Sequence, residues 1–219
     1  MVKYKWILYS TISILMIAFA FGISQRKTYT EISKDKTYLE NIYVAQIPED
    51  YAYSTVEILK DELPLSPNII KVIALGEIEH FARTSRQLVK VQNVYKGTEL
   101  KENQEIFITC ERWSLSLYDE PYSIERGFVN MMEVGDEYLL FVEGQVDGLG
   151  EAIPVFELYG ESVLAPVFSY RNHINKISSM GEESTYVLYN QVRDNEFFAS
   201  TSEAMDALLE LKKDLLKKY

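Results

Sequence analysis

Apolar and polar positions alternate most regularly between Leu88 and Cys110. Val89 and Val91 alternate with Lys90 and Gln92, and after a break Ile106, Ile108 and Cys110 alternate with Phe107 and Thr109. A period of two with one apolar side predicts two antiparallel strands over a shared core. The break holds Tyr95-Lys96-Gly97-Thr98, where Gly97 can take a positive φ, and a polar linker from Glu99 to Gln104. Val91 and Val94 are three apart, so both face inward only across a bulge at Asn93. Upstream, Ile69 to Phe81 reads as a strand with Ile70, Val72, Ala74, Gly76 and Ile78 on one face and Ile69, Ile73 and Leu75 on the other. Two apolar faces predict a central strand, and Gly76 predicts a bend of the kind a small barrel needs to close. Downstream, the turn Val134 to Glu137 leads into Tyr138 to Val142. Further strands are expected at Ile153 to Tyr159, at Ser162 to Tyr170 beyond Gly160, and at Tyr186 to Tyr189.

Helical periodicity frames these strands. Ser54 and Glu57 have capping-box spacing ahead of a short helix that Pro64 and Pro67 end. Ser200 and Glu203 have the same spacing ahead of a terminal helix. Met205, Leu208, Leu209, Leu215, Leu216 and Tyr219 share one face of it, and Lys212, Lys213, Lys217 and Lys218 lie in its later turns. The expected class is mainly β with flanking helices (α+β). The organisation is an N-terminal segment over 1–27, a tether over 28–50, an antiparallel barrel over 51–199 and an amphipathic helix over 200–219.

The N-terminal segment changes the picture of location. Lys3 and Lys5 precede Trp6 to Ile23, eighteen residues without a charge, followed by Arg26 and Lys27. A bilayer core takes roughly 20 apolar residues, so this run is a candidate transmembrane anchor. Ala18-Phe19-Ala20 is also an A-x-A cleavage pattern, so a signal peptide cut after Ala20 competes with it. Either reading places the remaining chain outside the cytoplasm, at the cell membrane or secreted. Those first 27 residues hold four basic groups and no acidic one. The other 18 basic groups therefore face all 33 acidic ones, a net of −15. Such a domain repels polyanions, which argues against nucleic acid as a partner. Cys110 is the only cysteine, so an internal disulfide is excluded.

The order of helix, NIIKVIALGEIEHF, LVKVQNVYKG, QEIFITC and VGDEYLLFVEG resembles the netrin-like domain. That is the OB-type barrel of tissue inhibitors of metalloproteinases, and bacterial exported proteins share its layout. The resemblance covers roughly Tyr53 to Tyr159 and rests on Gly76, Val94-Tyr95-Lys96-Gly97 and Val134-Gly135 to Phe141. It implies an OB-like fold. The inhibitor branch implies an N-terminal cysteine and disulfides, which this chain lacks, so that mechanism does not carry over.

Chemistry-bearing patterns are sparse. Alternation puts Glu77 and Glu79 opposite His80, which reads as a solvated strand edge, and His173 reads as a surface histidine. No G-x-S-x-G elbow is present. The expectation is therefore no catalytic residue, no metal and no cofactor. Trp113, Tyr118 and Tyr122, in the longest candidate loop, are the binding candidates. The competing reading has Trp113, Leu115 and Leu117 alternating as one more core strand. The expected function is a membrane-anchored extracytoplasmic binding protein with a protein or cell-envelope partner. The alternative is a membrane-linked sensor or regulatory subunit whose terminal helix docks the partner. A hydrolase or protease inhibitor ranks below both.

Overall fold

The computed structural model describes residues 9, 11–23, 36–80, 84–116, 122–146, 152–178 and 185–219. The chain divides into two compact units, Met1–Tyr38 and Leu39–Tyr219. In the first, residues 11–23 are helical and expose their apolar side chains. Among the described residues no helix is long and apolar enough to cross a membrane. Residues 6–8, 10 and 24–27 of the expected anchor and its flank lie outside the described set.

The second unit is built on a closed barrel of five strands: β2 (Asn68–His80), β3 (Ser85–Lys96), β4 (Glu105–Cys110), β7 (Glu137–Gln145) and β8 (Val155–Leu158). Their order is β2-β3-β4-β8-β7, and β2 pairs with β7 to close the ring. All pairings are antiparallel except β4 with β8, which is parallel. The barrel is thus mixed, a correction to the antiparallel expectation. The chain crosses from β4 to β8 through three intervening strands, and such a crossover allows parallel pairing. This order is compatible with an OB-type barrel. β9 (Val167–Ser169) adds to β7 alongside β8.

Alternation fills the interior. Val72, Ala74, Val89, Val91, Ile106, Ile108 and Leu140 are all buried in one cluster, whereas Cys110, expected among them, is only half-buried. β2 buries Ile69 as well as Ile70, and both belong to the main core cluster. Besides a shift between Ile69 and Ile70, the register of β2 on β3 slips between Lys71 and Val72, opposite Val91 to Asn93, and again between Ala74 and Ile78 around Gly76. At this last slip the Gly76 carbonyl accepts from Nε2 of the fully buried Gln87 at 3.0 Å, so the bulge leaves no orphan acceptor there. Gly97 has φ +107°, and a Cβ would meet Oδ1 of Asn68 at 2.1 Å, so no other residue fits that turn.

A second sheet has the order β10-β1-β6-β5, with β1 (Tyr43–Ala45), β5 (Ser114–Ser116), β6 (Ser123–Glu125) and β10 (Tyr186–Leu188). The tether expectation over 28–50 is therefore corrected from residue 36 on. Lys36–Asn41 is a 3₁₀ turn, and Ile42, Val44 and Ile47 are buried, with β1 paired to β6 and β10. Residues 28–35 lie outside the described set.

Helix α1 (Glu49–Glu62) starts five residues before the expected Ser54 cap, behind Pro48, with Glu49 and Asp50 against its dipole. Its buried Ala52, Thr55, Val56 and Leu59 follow the i, i+3, i+4, i+7 stripe. Ser54 sits mid-helix and donates back to the Asp50 and Tyr51 carbonyls. A single helical turn, α2 (Tyr189–Val192), precedes α3 (Ser202–Lys218). The cap of α3 is Thr201, whose Oγ1 accepts from the Ala204 amide at 3.1 Å, one residue beyond the expected Ser200. α3 packs on α1, and its Met205, Leu208, Leu211 and Leu215 join the main core.

Candidate functional site

The expected contact loop resolves into different parts. Trp113 is 0 % exposed; its amide donates to the Cys110 carbonyl at 2.9 Å, and the Arg126 guanidinium lies 3.6 Å from its ring centroid. Trp113 is therefore a core residue sandwiched by a buried cation, and its role as an accessible contact is corrected. Leu115 pairs with Ile124 as β5 meets β6. Tyr118 lies outside the described residues. Tyr122 is 40 % exposed and stands at the entry to β6, where its carbonyl accepts from the Tyr43 amide. Trp113 and Tyr122 thus do not form one aromatic surface.

A better-formed surface lies on the outside of the barrel. Inward Val89, Ile106 and Ile108 turn their neighbours Leu88 and Phe107 to the other face, and Leu88, Phe107 and Val155 fall on one row across β3, β4 and β8, in which Leu88 is half-buried and Phe107 and Val155 are buried. Arg86 lies flat over Phe107, 3.9 Å from the ring centroid, while its Nε donates to Glu79 at 2.8 Å. Glu157 borders the row, its carboxyl pushed up by partial burial and by the charges of Glu111 and Glu143. Lys90, half-buried, flanks it on β3, and Leu75 on β2 is 38 % exposed. Arg86 and the flanking strands cover Phe107 and Val155, so what this face can offer a partner is its rim, where Leu75, Leu88 and groups of both charge signs are accessible and can select an orientation. Periodicity gave Phe107 only as an outward position; the cross-strand register is what assembles the row.

The barrel corner at the end of β2 gathers ionisable groups. His80 faces Ser85 across the last rung, with Nδ1 2.7 Å from Oγ. Burial, followed by the Arg126 charge, holds His80 down to about 4, so the imidazole is neutral near pH 7. This corrects the solvated-edge expectation. A serine–histidine contact is the start of nucleophile activation, but the Ser85 side chain is fully buried on the ladder, which makes the contact a cross-strand link. Burial likewise raises the Cys110 thiol above its ordinary range. His173, expected at the surface, is half-buried, with Nδ1 3.2 Å from the Asp194 carbonyl. Among the described residues no group of three histidine, cysteine or acidic side chains could hold a metal ion.

The fold and these surfaces define a closed five-stranded mixed β-barrel with flanking helices. No protein-family model matches the chain, and no curated protein does.

Proposed function

We propose that the protein is a netrin-like, OB-type binding module, held at a membrane by its N-terminal segment with the barrel outside the cytoplasm. It engages a protein or cell-envelope partner through the outer face of β3 and β4. The carrying observation is the accessible outer edge of that face, the half-buried Arg86, Leu88 and Lys90 of β3 beside the 38 % exposed Leu75 of β2, since the second and third strands of OB barrels form their usual ligand face. The membrane part rests on the charge-free run from Trp6 to Ile23 behind Lys3 and Lys5. The sensor alternative needs a free apolar helix face, and α3 already spends its own on α1 and the barrel.

The test is a photo-crosslinking residue introduced at Lys90 or at Leu75 of the full-length protein in native membranes, with exposed Lys213 on α3 as the control. Adducts of one discrete mass at Lys90 and Leu75, absent at Lys213, are expected. Equal labelling at all three sites rejects the face. Protease added to intact cells should remove the barrel while cytosolic proteins survive, and a protected barrel rejects the topology.

A further inference from the structure

Residues 171–178 run without regular structure and are stapled to the turn at 193–196. The fully buried Asn195 supplies both halves of one staple: its Nδ2 donates to the Lys176 carbonyl at 2.7 Å and its Oδ1 accepts from the Lys176 amide at 2.9 Å. The Glu196 amide donates to Asn175 Oδ1 at 2.8 Å, and Lys212 from α3 donates to the Arg171 carbonyl at 2.9 Å. His173 completes the set. Its Nδ1 faces the Asp194 carbonyl, which can only accept, so Nδ1 carries the proton. Its Nε2 is buried with no hydrogen-bond partner.

We infer that residues 171–178 are an acid-responsive strap, opened when His173 takes up a second proton at Nε2. That proton creates a charged N–H at a buried atom with no acceptor beside it, which is the costly way to place a cation. The charges around it do not compensate. Arg171 and Lys212 repel the imidazolium, and the opposing Glu133 is already held by both terminal nitrogens of Arg171, alongside Asp136. Asp194 offers its backbone, and its carboxylate pairs with Arg193. Burial is the main reason that protonation of His173 is disfavoured while the strap is closed. The folded imidazole binds protons more weakly than a free one, so closure is strongest above about pH 6.5 and weakens as pH falls below it.

Glu196, buried against Lys212, has the opposite sign. Burial raises its carboxyl, with Lys212 pulling partly back, so its proton uptake favours the closed state and cannot be the source of opening. Opening frees the side chains of Asn175 and Asn195 and the Lys176 backbone, a hydrogen-bonding surface present only in acid.

Hydrogen exchange of the full-length protein in detergent, corrected for intrinsic rates, tests this at the Lys176 and Glu196 amides. Between pH 7.5 and 5.0 their opening constant should rise, by up to about thirtyfold for a free imidazole near 6.5. In His173→Asn, which can still donate to the Asp194 carbonyl, the rise should vanish. An equal rise in that variant, or none in the wild type, overturns the inference. Should the variant not fold, imidazole proton resonances of the wild type decide. The chain has two histidines, both should titrate below 6.5, and one titrating at or above that value overturns it.

Discussion

His80 is the residue at which neutral imidazole, buried cation and indole meet the end of the barrel. Held down to about 4 by burial and then by Arg126, it is protonated in the unfolded chain before the folded one as pH falls. Its contribution to stability is complete above about 6.5 and is lost as pH falls toward 4. The drop in Tm between pH 7 and 4.5 should therefore be smaller in His80→Asn than in the wild type; identical drops would remove His80 from the acid response. Alternation was a sound guide to which face such residues take, as Val89, Val91, Ile106 and Ile108 demonstrate. It carried no information on what covers that face. Hence Trp113 was open to two readings, rim aromatic or core strand, and its burial against Arg126, thirteen residues further on, favours the core reading that alternation offered, while His80 read as solvated.

At the scale of elements, the two helices separate a capping pattern from a cap. Thr201 holds the Ala204 amide, so Thr201→Ala should cost about 1 kcal/mol in urea denaturation. Ser54 occupies an exposed position inside α1 and bonds backward. Ser54→Ala should leave stability unchanged or raise it by a few tenths of a kcal/mol. A loss at Ser54 as large as that at Thr201 would restore the capping box. β2, β3, β4 and β7 were legible because six to thirteen residues display a period. β1, β5, β6, β9 and β10 have three residues each, too few to show a period; β10 falls on the strand expected at Tyr186 to Tyr189 and β9 within Ser162 to Tyr170, but β1 and β6 were not anticipated, so the second sheet as an assembly was not legible. The start of α1 was legible in its apolar stripe from Ala52, but the capping pattern at Ser54 outweighed it.

For the whole molecule, α3 is held by its apolar face and also by the buried Lys212–Glu196 pair, in which Glu196 further accepts from the Ser169 amide of β9 at 2.7 Å. Lys212→Ala leaves that carboxylate buried without its cation and should destabilise the fold by about 3–5 kcal/mol. Combining Lys212→Met with Glu196→Leu should recover most of the loss; a double variant as weak as Lys212→Ala would show that packing of the lysine stem dominates. A barrel was expected from Gly76 and from the resemblance, but the rungs that close it were not legible, because neither the β2–β7 pairing nor the parallel β4–β8 pairing leaves a local trace in sequence. Those rungs join residues 68–73 to 137–142 and 107–109 to 155–157. A chain synthesised from its N-terminus can form the β2–β3–β4 meander early, yet β2 stays unpaired on its outer edge until roughly thirty further residues have arrived and β4 until roughly fifty have. Such distant partners place folding on the millisecond-to-second scale, and over that interval the apolar faces of β2 and β4 lie open, which makes assembly, rather than the finished barrel, the stage at which this protein is most prone to aggregate.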